Sequence, residues 1–331
     1  MPRLLRPARF VVGLALLAGL AGCDHTTDPD GPNLIDRFGP FAIVEPLAAD
    51  RATADFAAGE AVVFSARFNK QTAWVLEITG QTSGAVHRIE GVSNALDATN
   101  ARWTGRTTDL PFFRAEPVEA ALFFPSEAGS DTLRTSLAVA TPRAYPGAVV
   151  AAFEGGETIR VGNFEFEFQG AGPSSEVPAA QGNTFYLLRG TDSVVPNFFV
   201  GLIDILPPAN TYTVVPTTVP SELFVNAFLY SFGTPNTIAV VQVVADANGN
   251  RRFDDGTDTV FVFLDQPVDW TGWRAINRSL GDMGMTETQV QQIVAVRVLL
   301  ISDRNNQPTP PLPVDYGIDY VTFTAGGPLE P

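Results

Sequence analysis

The 331-residue chain carries 36 Asp and Glu against 21 Lys and Arg, a net charge of −15, with 45% hydrophobic residues, 24 Phe, one Cys and two His. That much apolar and aromatic residue can build a large core, while the acidic balance disfavours nucleic acid, whose phosphates reward Lys and Arg. One Cys excludes an internal disulfide or a Cys-based zinc site, and two His, His25 and His87, exclude a three-His metal site.

Arg3, Arg6 and Arg9 form a basic start, and Phe10 to Leu20 is an uncharged apolar run too short to span a bilayer as a mature helix. Leu20-Ala21-Gly22-Cys23 follows, and it resembles the signal of bacterial lipoproteins. The resemblance implies that residues 1–22 are removed and that Cys23 carries covalent lipid as residue one of the mature chain. Several acyl chains anchor stably at roughly 0.8 kcal/mol per buried CH₂. Cleavage removes three Arg and no acid, so 18 basic residues face 36 acidic ones, a balance of −18. Such a protein does not lie flat on anionic lipid. The polar, turn-rich residues 24–39, His25 among them, read as a solvated tether. The expected location is the cell envelope, at the periplasmic face of an outer membrane or the cell surface.

Beyond the tether the hydrophobic period is two, which predicts an all-β protein. Val62 to Phe68, Trp74 to Ile78, Val118 to Phe124 and Leu133 to Val139 read as short strands of an immunoglobulin-like sandwich over residues 40–147, with Trp74 and Trp103 in its core. Thr141 to Gly147, with Pro142 and Pro146, reads as the joint to a second domain at 148–326, and 327–331 as a tail. Further strands are expected at Ile159 to Phe168 (Phe164, Phe166 and Phe168 inward, Glu165 and Glu167 outward), Phe185 to Leu188, Phe198 to Leu206, Leu223 to Phe232, Ile238 to Ala245, Thr259 to Asp265, Val294 to Ile301 and Tyr316 to Phe323. That number suits a jelly roll. A single short helix is expected, with Thr286 as N-cap and Glu287 to Ile293 as its body.

Phe153-Glu154-Gly155-Gly156, Gln181 to Tyr186, Trp270-Thr271-Gly272-Trp273 with Leu280-Gly281-Asp282, and the closing Tyr316 to Phe323 resemble, in this order, the galactose-binding-like sandwiches of carbohydrate-binding modules. The resemblance spans about residues 148–325 and implies a jelly roll, in many cases a glycan-binding one; others of the kind only join domains. It also implies that Trp273 is core. Trp270, between Asp269 and Thr271, is then the aromatic expected to stack on a sugar, with Tyr230 and Tyr186 as further contacts and Tyr212 as another candidate.

The densest set of oxygen ligands lies in Asp246 to Asp258. Asp246, Asn248 and Asn250 alternate as calcium ligands do, and Asp254, Asp255 and Asp258 could close the shell. The run departs from an EF-hand, with Arg251 in sixth place and Thr257 in twelfth, and Asn248-Gly249 equally suits a plain hairpin turn. Gly91-Val92-Ser93-Asn94-Ala95 ends in Ala and falls short of a nucleophile elbow. The resulting expectation is a non-catalytic, lipid-anchored protein binding a polysaccharide. An accessory subunit binding another envelope protein is the alternative, and a hydrolase stands behind both.

Overall fold

The computed structural model describes residues 39–162, 168–190, 199–303 and 313–331. The signal, Cys23, the tether, Phe164, Glu165, Phe166, Glu167 and the inward placement of Phe168 lie outside what is described. In chain order the elements are β1 (Ile43–Ala49), β2 (Thr53–Asp55), β3 (Val62–Gly80), β4 (Val86–Leu96), β5 (Arg102–Trp103), β6 (Pro117–Phe123), β7 (Leu133–Thr141), β8 (Ala148–Ala151), β9 (Thr158–Gly162) and β10 (Phe168–Ser174). There follow β11 (Phe185–Gly190), β12 (Phe199–Leu206), β13 (Leu223–Phe232), β14 (Thr237–Ala245), β15 (Thr259–Pro267), β16 (Thr271–Ser279), α1 (Glu287–Gln291), β17 (Ile293–Ser302) and β18 (Asp315–Ala325). The protein is all-β, and Ile43–Pro331 is one compact unit.

β1 to β7 form a seven-stranded sheet organised on β3. Two strands were expected at Val62 to Phe68 and Trp74 to Ile78, and they are one. From Val62 to Gly80 every even residue except Lys70 is buried, so the alternation never changes phase across Asn69-Lys70-Gln71 and the strand has no reason to break. Trp74 and Trp103 are 1% and 0% exposed, and the Trp103 ring meets Phe56 and Phe113 edge to face. Gly91 lies directly under Trp74, where a Cβ would come within 2.4 Å of the indole.

Two further sheets face each other. One has six strands in the order β10-β11-β18-β13-β16, with β8 on β18; the other has five, β15-β14-β17-β12-β9. Their facing residues, Leu188, Val225, Leu229, Ile318 and Phe323 among those of the first and Ile203, Val241, Val243, Val296 and Val298 of the second, share one core. β17 is buried throughout, which explains its unbroken apolar run around Arg297. α1 begins at Thr286 with a capping box to Gln289, as the sequence suggests, but ends two residues early because Ile293 starts β17.

The seven-stranded sheet also touches the six-stranded one. Phe112 N donates to Ala180 O at 2.8 Å, and the Phe112 ring packs on Tyr145, Phe228 and Tyr320, with Leu110, Trp273 and Leu329 around them. The joint at residues 142–147 is therefore braced by packing.

Candidate functional site

The side of the six-stranded sheet turned away from the core carries a row of aromatic rings, and register places them. Tyr230 on β13 is directly opposite Trp273 on β16, and Phe232 opposite Thr271; Tyr230 is opposite Gly317 on β18 as well. Residues paired in this way share a face, as do residues two apart along a strand. Tyr230 meets Trp273 at 5.2 Å and Phe232 at 4.8 Å, both edge to face. Beneath them Phe185 is fully buried, edge-on to Trp273 at 5.5 Å. Gly317 makes this stacking possible, since a Cβ there would lie 2.7 Å from the Phe185 ring. Tyr230, Phe232 and Trp273 keep part of their surface in solvent.

Polar groups border the rings. Arg189 Nη2 donates to Glu176 Oε1 at 2.9 Å and lies 3.0 Å from Asp315 Oδ2, while its guanidinium sits 5.6 Å from the Phe232 centroid. Burial pushes the Asp315 carboxyl above the usual carboxylate range, although Arg189 pulls the other way. Trp273 Nε1 donates to Pro178 O at 2.8 Å, which fixes the indole plane. Asp319 is buried at the base of the same face, accepting from Gln181 N at 2.9 Å and Tyr320 N at 2.7 Å. Burial drives its carboxyl well above the ordinary value. Rings partly open to water, bordered by a guanidinium and two carboxylates, can cover the C–H face of a pyranose and satisfy its hydroxyls.

Two expected contacts are corrected. Trp270 is 7% exposed, belongs to the shared core, donates from Nε1 to Gly272 O at 3.0 Å and is covered by Arg274 at 4.6 Å. Trp273, expected in the core, is the partly exposed one. The two are three residues apart across Gly272, which has a φ of +90°. An odd spacing puts them on opposite sides of the sheet, and position 270 takes the core side. Tyr186 is 5% exposed and packs on Phe153 at 5.4 Å. Its neighbour Phe185 takes the platform side. Of the three expected aromatics only Tyr230 lies on the platform. Phe232 was reachable from Tyr230 by the two-residue period, whereas Trp273, Arg189 and Asp315 join only through strand pairing that no local pattern reports.

The Asp246–Asp258 loop joins β14 to β15. Asp246 Oδ1 accepts from Asn248 N and Gly249 N at 3.0 and 2.7 Å, and its Oδ2 accepts from Arg251 N at 2.7 Å and the Tyr212 hydroxyl at 3.1 Å. Burial works against ionisation there, yet the N–H groups of Arg251, Gly249 and Asn248 hold the Asp246 carboxyl below its ordinary range. Asp258 accepts from Ala247 N and Asp254 N, and Asp254 takes the amides of Asn248 and Asn250. Asp255, expected as a sixth calcium ligand, turns away to Arg297 Nη1 at 3.0 Å. Among the described residues no three His, Cys, Asp or Glu side chains form a metal-ready group. The amide oxygens of Asn248 and Asn250 accept as well, from Asn250 N at 3.0 Å and Arg252 N at 2.8 Å, so here the loop's own N–H groups satisfy the hard oxygens that calcium would take.

Ser93 lies inside β4, where its hydroxyl accepts from Trp74 Nε1 at 2.9 Å. His87 lies on the same strand, its Nδ1 3.2 Å from the Thr108 hydroxyl, and burial followed by Arg106 keeps its imidazole below the ordinary value. Neither stands on a strand-to-helix turn. Among the described residues no helix is long and apolar enough to cross a membrane.

No protein-family model matches the chain, and no curated protein matches it. Among solved structures it is similar to a carbohydrate-binding-module structure from the β-sandwich superfamily, at 12% identity over 86% of this chain and 98% of that one, with a TM-score of 0.36. It is similar also to a family 11 carbohydrate-binding module from Clostridium thermocellum, solved in complex with a β-1,3-1,4-mixed-linked tetrasaccharide: 13% identity, 55% of this chain, 98% of that one, TM-score 0.34. A third is the tandem family 22 module pair from Paenibacillus barcinonensis, at 11% identity, 86% and 93% coverage and a TM-score of 0.35. Scores this low carry no argument, and the β-sandwich described above rests on the strand pairing.

Proposed function

We propose that this protein is a lipid-anchored, non-catalytic component of a bacterial cell envelope that binds glycan on the outer face of its six-stranded sheet. One observation carries the reading: Tyr230, Trp273 and Phe232 are held edge to face on adjacent positions of β13 and β16, partly open to solvent, beside Arg189, Glu176 and Asp315. The rings are fixed before any ligand arrives, by Phe185 beneath and by the Trp273 hydrogen bond to Pro178, so little side-chain order is lost on binding. Trp273 and Tyr230 stack on the sugar rings, and Arg189 with its two carboxylates takes hydroxyls. The N-terminal acyl anchor on Cys23 keeps this face near the bilayer without pressing the acidic domain onto it. Calcium belongs to the same proposal as a stiffener of the Asp246–Asp258 loop, held by oxygens of Asp246, Asn248, Asn250, Asp254 and Asp258, with no part in sugar contact.

The test is a screen of neutral and acidic polysaccharides against the full-length chain in mild detergent, repeated with Tyr230→Ala. Binding that is weakened in the variant supports the reading. Silence with every glycan, or binding indifferent to the variant, overturns it, and capture of an envelope protein on the same face would replace the glycan with that partner.

A further inference from the structure

A cavity of about 500 Å³ opens where the seven-stranded sheet meets the six-stranded one. Four aromatic residues, Phe112, Phe113, Tyr145 and Tyr320, line it, with the Phe112 and Tyr145 rings 4.5 Å apart. Of the five polar residues that line it, three have a buried atom without a hydrogen-bond partner among the described residues: Arg114 Nε, Arg143 Nε and Gln181 Oε1. Two of the three, Arg114 and Gln181, are tied down by hydrogen bonds. Arg114 N donates to the buried Glu116 at 3.0 Å, Arg114 Nη2 to Ala179 O at 3.2 Å, and Gln181 N to Asp319 at 2.9 Å.

Unpartnered buried donors on a guanidinium are costly, since that group can only donate. In a chain whose acids outnumber its bases 36 to 21, a carboxylate for each Arg would be easy to supply. Yet no ion pair among the described residues uses Arg114 or Arg143. Two guanidinium donors, one amide acceptor and an aromatic wall in a space of ligand size describe a particular complement. It has an anionic group for the arginines, a hydroxyl for Gln181 Oε1, and a ring with an apolar face for the aromatics.

We infer that this cavity is a binding site for a uronic acid residue, the carboxylate set between Arg114 and Arg143, a hydroxyl on Gln181 and the ring against Phe112 and Tyr145. None of Tyr230, Phe232 and Trp273 lines this cavity, although Trp273 packs from outside on the cluster of Phe112 and Tyr320 that walls it.

Isothermal titration of the full-length chain in detergent tests it, using oligogalacturonate, the neutral galactose oligomer of equal length, and benzoate. Oligogalacturonate is expected to bind roughly 10- to 100-fold more tightly than the neutral oligomer, as fits one hydrogen-bonded charged group. Arg143→Gln is the first variant, because among the described residues Arg143 makes no hydrogen bond or ion pair and its one contact is with the Tyr145 ring at 5.6 Å; it and Arg114→Gln should each remove most of that preference. Tyr230→Ala should leave it unchanged, because Tyr230 neither lines the cavity nor belongs to the cluster that walls it, and this separates a failure here from a failure of the platform. Equal binding of neutral and acidic oligomers, no binding of oligogalacturonate, or indifference to both Arg variants overturns the inference. Benzoate binding as tightly as oligogalacturonate overturns the sugar and assigns the cavity to an aromatic acid.

Discussion

Replacing Arg297 by Met should cost the fold about 3 kcal/mol, because it strands a buried carboxylate. Asp204 is 1% exposed and faces Arg297 across the β12–β17 pair and Arg160 across β12–β9. Arg297 Nε donates to Asp204 Oδ1 at 2.7 Å, and Arg160 donates to Oδ2 from Nε at 2.9 Å and Nη2 at 2.7 Å. Without Arg297, Oδ1 loses its hydrogen-bond partner. The loss sits at the low end of the roughly 3–5 kcal/mol usual for breaking a buried pair, because Arg160 still holds the other oxygen. Loss of the Arg297 contact with Phe253, 4.7 Å from its ring, and of the exposed partner Asp255 adds about 1 kcal/mol at most. At ~2–4 °C per kcal/mol for a unit of this size the melting temperature should fall by roughly 6–12 °C. The double variant Asp204→Leu/Arg297→Met should recover most of the loss, since no buried charge is left alone. Urea titration followed by tryptophan fluorescence and circular dichroism measures both. A single variant within about 0.5 kcal/mol of the parent, or a double variant no better than the single, would refute the argument.

Cys23→Ser should move the protein from the membrane to the soluble fraction, and persistent membrane attachment on fractionation would reject the lipid anchor. Excess chelator should lower the melting temperature of the full chain, with calcium restoring it as mass action requires, and an unmoved transition would remove the ion from the Asp246–Asp258 loop. The hydrogen bond from Arg297 holds the Asp255 carboxyl below its ordinary value, so its contribution is present above the unfolded pKa of about 4 and is lost as pH falls through the folded one. Stability of the parent relative to Asp255→Asn should therefore shrink below about pH 4; a difference independent of pH would contradict that pairing.

Period-two alternation was enough to mark β13 to its residue limits, but the polar middle of β3 split that strand in two on reading, although its alternation keeps phase from Val62 to Gly80. It was enough, too, for the Thr286 cap, whose chemistry is local. Strands with weak alternation escaped: β4 carries Gly91, Ser93 and Asn94, and β16 is mostly exposed with Arg274, Asn277 and Arg278. The platform was half legible. Tyr230 lay in a clear strand, but Trp270 and Trp273 could be sorted to inside and outside only once the position of Gly272 set which parity faces the core. The cavity of Phe112, Arg114, Tyr145 and Gln181 was not legible, because its walls come from segments tens of residues apart that meet only where the two β-regions pack.

The most direct measurement is glycan binding by the full-length protein with Trp273→Ala and Trp270→Ala side by side. Loss of about 2 kcal/mol of binding, ~30-fold in Kd, is expected for Trp273→Ala, whose partly exposed ring lies beside Tyr230. Trp270→Ala should lower stability instead, because its ring is core, and at a temperature where it is folded it should bind as the parent does. Binding lost with Trp270 and kept without Trp273 would contradict the platform, and no binding by the parent would contradict the glycan reading itself.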